Sequence, residues 1–164
     1  MKILFFLFLF TIFFACSDSS GKIEALQTRL DKLEKKLDDS YKPGFGEFMS
    51  NIQVHHAKLW FAGINNNWKL ADFEIHEIKE TLEDLEKYQA ERTEIKSLSI
   101  IYPALGSVNA AIDKQDLKRF KTNFTILTKT CNRCHQAVNY PFNDVKIPDS
   151  PPFSNQIFKK QNTQ

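Results

Sequence analysis

Apolar residues recur every three or four positions in four segments between residues 44 and 139. This is the period of a helix that buries one face. We predict the first helix from about Glu47 to Ala62, the third from about Ile95 to Ile112 and the fourth from near Asp116. The inward positions, in chain order, are Met49, Ile52, His56 and Leu59; Ala71, Ile75, Ile78, Leu82 and Leu85; Leu98, Tyr102, Leu105 and Ile112; and Leu117, Phe120, Phe124 and Leu127. Because short connections make neighbouring helices antiparallel, the pattern predicts an all-α fold, an antiparallel four-helix bundle over residues 44–139.

Residues that commonly cap or interrupt helices lie near the ends of these segments. Gly63 is predicted to stop the first helix. Asn65, Asn66 and Asn67 offer side-chain oxygens that can cap the second. Pro103 either kinks the third helix or marks its true start. After Tyr140 the prolines exclude another long helix, so residues 140–164 are predicted to form an extended tail.

An additional helix is predicted within residues 17–43, ahead of the bundle. Its apolar residues follow a heptad spacing on an otherwise charged surface; they are Ile23, Leu26, Leu30, Leu33 and Leu37. The row is shorter than the three or four heptads that identify a coiled coil. Two interpretations stay open: a solvated helical spacer, or a stalk that joins copies of the chain into a homo-oligomer through residues 22–39.

The first 16 residues have the pattern of an export signal and are excluded from the fold. Lys2 precedes an apolar run from Ile3 to Phe14, which is too short to span a bilayer comfortably. Ala15-Cys16 and the serines that follow resemble a bacterial lipoprotein cleavage site, which predicts a lipid on Cys16. Ordinary cleavage nearby and an uncleaved anchor are the alternatives. All three predict an exported protein of the cell envelope, on the periplasmic side or at the outer membrane.

The strongest chemical signal is the sequence Cys131-Asn132-Arg133-Cys134-His135 at the end of the fourth helix. A C-x-x-C-H motif is the attachment signature of c-type haem. Two thiols at this spacing on a helical turn can reach both vinyl groups of one porphyrin, and the adjacent imidazole then lies under the iron. We predict one covalent haem c, attached through Cys131 and Cys134, with His135 as the proximal iron ligand.

Other uses of two cysteines at this spacing explain the sequence less well. A structural zinc site needs four ligands, and there is no second cysteine pair. A thioredoxin-like site requires alternating strands and helices, which the pattern lacks. A simple disulfide suits an oxidising compartment but leaves His135 without a role.

The second axial ligand is predicted from the position of the helices. An antiparallel bundle brings the start of the first helix to the end of the fourth, so Met49 lies near the motif. A thioether opposite histidine stabilises ferrous iron, which suits electron transfer; the alternative is that Met49 only fills the core. His56 is the rival on the same face, roughly 10 Å further along the helix. At that distance we expect it to line the haem cavity or to satisfy a hydrogen bond in the core.

The remaining histidines and both tryptophans are assigned structural roles. His55 is expected to face outward or towards a neighbouring helix, and His76 to lie on the surface. Trp60 and Trp68 are expected to pack in the core at the end opposite the haem, with a ligand pocket there as the alternative.

The helical pattern and the motif together resemble the class II cytochromes c, the cytochrome c-prime type, over roughly residues 44–136. The matching residues are Cys131, Cys134, His135 and Met49. Further short segments are similar to a poorly characterised group of bacterial monohaem c-type cytochromes; they are 56–63, Asn67-Trp68, Leu70-Ala71, 131–136 and 152–156. The resemblance implies a haem-binding electron carrier. The tail departs from class II members, whose chains end soon after the motif, and it either covers the haem edge or supplies a ligand.

Charge and motif content limit the function classes. The 22 basic and 20 acidic residues are interleaved, which gives no basic stripe for nucleic acid. No acid–base pair lies beside the motif, so a haem enzyme is the least favoured class. We predict a non-enzymatic monohaem cytochrome that transfers single electrons to a redox partner protein and is held at a membrane by its N-terminal lipid. The alternatives are a five-coordinate haem protein that binds or senses a small gas, and a ligand-binding module with a structural haem.

Overall fold

A computed structural model describes residues 17–40 and 43–160. The chain divides between residues 42 and 43 into two compact units, each considered by itself. The first contains α1 (Ser17–Ser40). The second contains α2 (Phe45–Ile64), α3 (Trp68–Tyr88), a 3-10 helix (Thr93–Ile100), α4 (Tyr102–Asp113) and α5 (Leu117–Ala137). The described residues contain no strand, which confirms the all-α prediction. The predicted signal and the lipid site at Cys16 lie outside the described residues.

Helices α2 to α5 pack around one hydrophobic core, which is compatible with the predicted helical bundle. Neighbouring helices are antiparallel, so later residues of one helix contact earlier residues of the next. Asn51 and His55 of α2, for example, bond Thr81 and Glu74 of α3. Most of the completely buried apolar side chains are ones that the helical period placed inward. They are Leu59, Ala71, Ile75, Leu82, Leu85, Leu98, Leu105, Phe120, Phe124 and Leu127; Val108 of α4 is equally buried but was not among the predicted positions.

The helix starts follow the capping residues of the sequence. The Asn67 side chain accepts a hydrogen bond from the Leu70 amide, as expected of one of the three asparagines. Asp116 caps α5 through the amide of Arg119. Pro103 lies in the first turn of α4, where its missing N–H costs no helical hydrogen bond. Pro103 therefore marks the true start of a helix, and residues 95–100, expected to be α-helical, form a 3-10 helix instead.

Gly63 does not act as the helix stop that the sequence suggested. No glycine among the described residues has a positive φ; α2 continues to Ile64, and Asn66 takes the left-handed conformation with φ 56°. Gly63 instead faces the Phe120 ring, and a Cβ atom there would lie 2.1 Å from the ring carbons. The absence of a side chain thus lets α2 approach α5 closely.

One stretch among the described residues, Thr93–Asp113, has the length and hydropathy of a membrane-spanning helix. It comprises the 3-10 helix and α4, and it supplies Leu98, Leu105 and Val108 to the core.

After α5 the chain forms turns and bends, without helix or strand, as far as Lys160. It returns to the bundle at two places. Ile147 packs against the core, and the buried Phe158 ring lies 5.7 Å from the ring of Phe61. These contacts hold the last described segment against the helices.

Candidate functional site

A cavity of about 550 Å³ opens where α5 ends and α2 begins. Pockets of this size and mainly apolar character are typical of small-molecule and cofactor sites. All five residues that the sequence singled out around the motif line it: Met49, His56, Cys131, Cys134 and His135. The antiparallel packing thus brings together residues that are more than seventy positions apart in the chain.

Cys131 and Cys134 lie on the last turns of α5, and both are free thiols. Burial, with a smaller contribution from Cys134, raises the pKa of Cys131 to about 12. Burial also raises the pKa of Cys134, whose Sγ lies 3.7 Å from the Ser97 carbonyl oxygen. Both thiols are therefore protonated at neutral pH. A thioredoxin-like site needs the opposite, a lowered thiol pKa, so the geometry argues against that alternative.

His135 is oriented by a hydrogen bond from outside its helix. Its Nδ1 lies 2.5 Å from the backbone carbonyl oxygen of Asn143. A carbonyl can only accept, so Nδ1 carries the proton and Nε2 keeps a lone pair. This arrangement is the usual one for a metal-ligating histidine, whose second nitrogen donates to a carbonyl or carboxylate.

The loop that supplies this carbonyl is attached to the motif itself. The Asn132 side chain donates to the Val145 carbonyl and accepts from the Val145 amide, each at 2.8 Å. The Tyr140 amide donates to the carbonyl of His135. Tyr140, Asn143 and Val145 also line the cavity. The chain after α5 therefore covers part of the cavity and holds His135 in position.

Met49 lies in the second turn of α2 and is partly buried against the core. It lines the cavity together with the motif residues. The packing of α2 against α5 places Met49 at the motif's end of the bundle, as the antiparallel arrangement predicts.

His56 is held by a hydrogen bond to α5. Its Nε2 lies 2.9 Å from the Thr128 hydroxyl, which also donates to the Phe124 carbonyl at 3.0 Å. A hydroxyl has one hydrogen, so both bonds form at once only if Nε2–H of His56 is the donor to Thr128. Burial lowers the pKa of His56 to about 4, and the ring packs 4.5 Å from Phe124. His56 is thus a neutral imidazole in the cavity wall.

Arg92 is a cavity residue that the sequence analysis missed. It is the one Lys or Arg among the described residues lining the cavity. Its guanidinium binds the Glu94 carboxylate at 2.6 Å and lies 4.9 Å from the centre of the Phe45 ring. Arg92 precedes the 3-10 helix in a segment without a recognisable motif, so nothing in its local sequence indicated this position.

The other histidines and the tryptophans lie away from the cavity. His55 is buried, with Nδ1 2.6 Å from Glu74 of α3, and His76 is exposed and bonds the Asp72 carbonyl of its own helix. Trp60 and Trp68 pack against Phe120, near the start of α5. Their rings are occupied by core contacts, so the structure offers no support for a ligand pocket between them.

The described residues contain no group of three or more His, Cys, Asp or Glu side chains that could hold a metal ion. A haem iron needs no such group, because the porphyrin supplies four ligands and the protein only one or two. Comparison with protein-family models, curated proteins and solved structures finds no match to the chain.

Proposed function

We propose that this protein is a monohaem c-type cytochrome, and that the cavity between α2 and α5 binds one covalent haem. The observation that carries the proposal is the arrangement of His135, which lies beside two cavity-lining thiols with Nδ1 bonded to the Asn143 carbonyl. The lone pair on Nε2 is then free for a metal. A structural disulfide would give this oriented imidazole no role.

The residues of the cavity fit a haem in three respects. Cys131 and Cys134 offer protonated thiols one helical turn apart, suited to thioether bonds. The walls are mainly apolar, formed by side chains such as Leu82 and Leu127, as a porphyrin face requires. Arg92, which also binds Glu94, has further N–H donors for the negatively charged propionates of the ring.

Met49 is the residue that we propose as the second axial ligand. His56 is the alternative, but its Nε2 is already hydrogen-bonded to Thr128. Met49 makes no hydrogen bond of that kind and lines the same cavity. We therefore assign His56 to the cavity wall.

The proposed role is single-electron transfer to a redox partner protein. The haem would supply a reversible one-electron couple, and the protein would set its potential. The apolar side chains would exclude water, the Asn143 carbonyl would increase the basicity of His135, and Arg92 would offset the propionate charge. We also propose that the protein is related to the class II cytochromes c, with the haem at one end of the bundle. It would be exported and carry a lipid on Cys16.

Haem staining of the exported protein on a denaturing gel tests the covalent attachment. Replacing Cys131 and Cys134 together by alanine should abolish the stain. Cys16→Ser is the matched control, since it removes the third cysteine and should leave the stain unchanged. Staining that survives the double replacement would exclude attachment at the motif. Palmitate labelling lost in Cys16→Ser supports the lipid anchor, and labelling that persists would refute it.

Optical spectra of the oxidised and reduced protein test the ligand assignment. A low-spin spectrum with the weak far-red band of methionine-ligated ferric haem is expected, and Met49→Ala should remove that band. His56→Gln is the control and should keep it. A high-spin spectrum that responds to carbon monoxide in the unaltered protein would refute the assignment and support the gas-binding alternative.

A further inference from the structure

Helix α1 carries a row of apolar side chains that are more than half exposed. The exposed fractions are 63% for Ile23, 64% for Leu26, 51% for Leu30 and 61% for Leu33. Scattered exposed apolar residues are ordinary on a protein surface, but a continuous stripe on one helix face is typical of an interaction surface. A solvated spacer could form from polar helix-forming residues such as Glu, Lys and Gln, and it would need no repeating aliphatic row on one face.

We propose that a second copy of this chain covers the row, so that two α1 helices form a parallel two-stranded coiled coil. This inference concerns an assembly and does not depend on the haem. The spacing places Ile23 and Leu30 at the a positions and Leu26 and Leu33 at the d positions of a heptad. Leucine at d with a β-branched residue at a favours two parallel strands. Ile23 and Leu26 meet this rule in the first heptad, while the second heptad has leucine at both positions.

The charged residues that flank the apolar row of α1 favour a second copy of the chain as the partner, in the parallel orientation. With Ile23 at position a, Arg29 and Lys36 occupy g positions, and Gln27 and Glu34 occupy e positions. In a parallel pair, each g residue meets the e residue of the next heptad on the other helix. Arg29 of either chain then lies beside Glu34 of the other, so a homodimer contains this opposite-charge pair twice.

An antiparallel pair would lose this complementarity. It places g positions against g positions, so Arg29 of one helix would face basic residues of the other. Like charges at such positions oppose association. The identity of the two helices and the sign of the charges thus point to a parallel homodimer.

A coiled coil of this length is marginal for isolated helices in water. The parallel arrangement compensates if Cys16 carries a lipid as proposed, because both N-termini then lie at the same membrane. Attachment to one surface raises the effective concentration of each α1 for the other. The dimer is therefore expected for the full exported protein in a membrane or in detergent micelles.

Disulfide cross-linking of the exported protein in its membrane tests the register. Leu26→Cys places two thiols at facing d positions of a parallel dimer and should form an interchain disulfide on mild oxidation. Thr28→Cys lies on the opposite face of α1 and is the matched control. No cross-link from Leu26→Cys, or equal cross-linking from Thr28→Cys, would overturn the proposal.

The mass of the detergent-solubilised protein, corrected for detergent, tests the interface itself. Twice the monomer mass is expected, and Leu30→Glu should give the monomer mass while Thr28→Glu keeps the dimer. Arg29→Glu alone should weaken dimerisation by roughly tenfold, and combining it with Glu34→Arg should restore it, because the opposite charges are exchanged. A monomeric unaltered protein, or a dimer that survives Leu30→Glu, would refute the α1 interface. Haem staining of all variants should be unchanged, so failure here is distinct from failure of the cytochrome assignment.

Discussion

The buried imidazole of His56 leads to a prediction about pH and stability. Burial lowers its pKa from 6.5 to about 4 in the folded protein. Above about pH 6.5 the imidazole is neutral in both the folded and unfolded chain, and the full stability is present. Between about pH 6.5 and 4 the unfolded chain binds a proton that the folded one does not. Stability therefore falls as the pH is lowered through this range and levels off below it.

The size of the effect follows from the two pKa values. Their difference corresponds to about 3 kcal/mol of unfolding free energy. That is a large part of the roughly 5–15 kcal/mol that holds a typical domain folded. The imidazole cannot avoid the cost by moving to water, because it is 4% exposed and held by Thr128 and Phe124.

The measurement is urea unfolding, at several pH values, of the chain without residues 1–16, produced in the cytoplasm where haem is not attached. His56→Gln keeps an amide that can donate to Thr128 but does not ionise. Between about pH 7 and 4, the unaltered chain should lose about 3 kcal/mol more stability than the variant. His76→Gln, at an exposed histidine, is the matched control. Parallel curves for the unaltered chain and His56→Gln would show that His56 is not the buried neutral group described here.

Two further substitutions test the packing and the loop over the cavity. Gly63→Ala should lower the unfolding free energy by about 1–3 kcal/mol, because the new methyl group meets the Phe120 ring. Gly106→Ala, at a helical site with nothing within 4 Å, should instead raise it by up to about 1 kcal/mol; a stabilising Gly63→Ala would contradict the close approach of α2 to α5. Asn132→Ala should keep the haem stain but raise the midpoint potential by roughly tens of millivolts, because losing the Val145 contacts weakens the hydrogen bond to His135. Asn143→Ala retains the backbone carbonyl and should leave the potential unchanged. An equal shift in both variants would show that the contacts between Asn132 and Val145 are not its cause.

The residues of the candidate site could be predicted because the motif is encoded locally. The residues Cys131 to His135 are contiguous, and their spacing on a helix follows from the helical repeat alone. Placing Met49 and His56 near the motif required a second prediction, that α2 and α5 are antiparallel neighbours. That prediction could be made because short connections leave few alternatives for consecutive helices.

The residues that the sequence analysis missed act through contacts between distant segments. Arg92 reaches the cavity only because the 3-10 helix packs beside the end of α5. The Asn143 carbonyl has no side-chain signature, since every residue has a carbonyl. The tail could be recognised as non-helical from its prolines, but the sequence did not reveal which of its atoms bonds His135.

Gly63 is a further residue whose role depends on a contact with another helix. A glycine near the end of an apolar stripe is most often a helix stop, and the local pattern could not distinguish that role from close packing. The presence of Phe120 opposite Gly63 decided it, and Asn66 provides the left-handed residue instead. Pro103 likewise allowed a kink or a start, and the 3-10 geometry before it decided for a start.

By itself, the sequence determined most of the helical segments, most of their buried positions and the motif of Cys131, Cys134 and His135, because these depend on spacing within one segment. Only the tertiary structure decided which atoms meet at the cavity: the carbonyl on His135, the hydroxyl on His56 and the cation of Arg92 at the same cavity. The physical reason is that a helical period specifies which face of a segment is buried. It does not specify the rotation and axial position of that face against its neighbours, which depend on how the side chains of all the helices pack together.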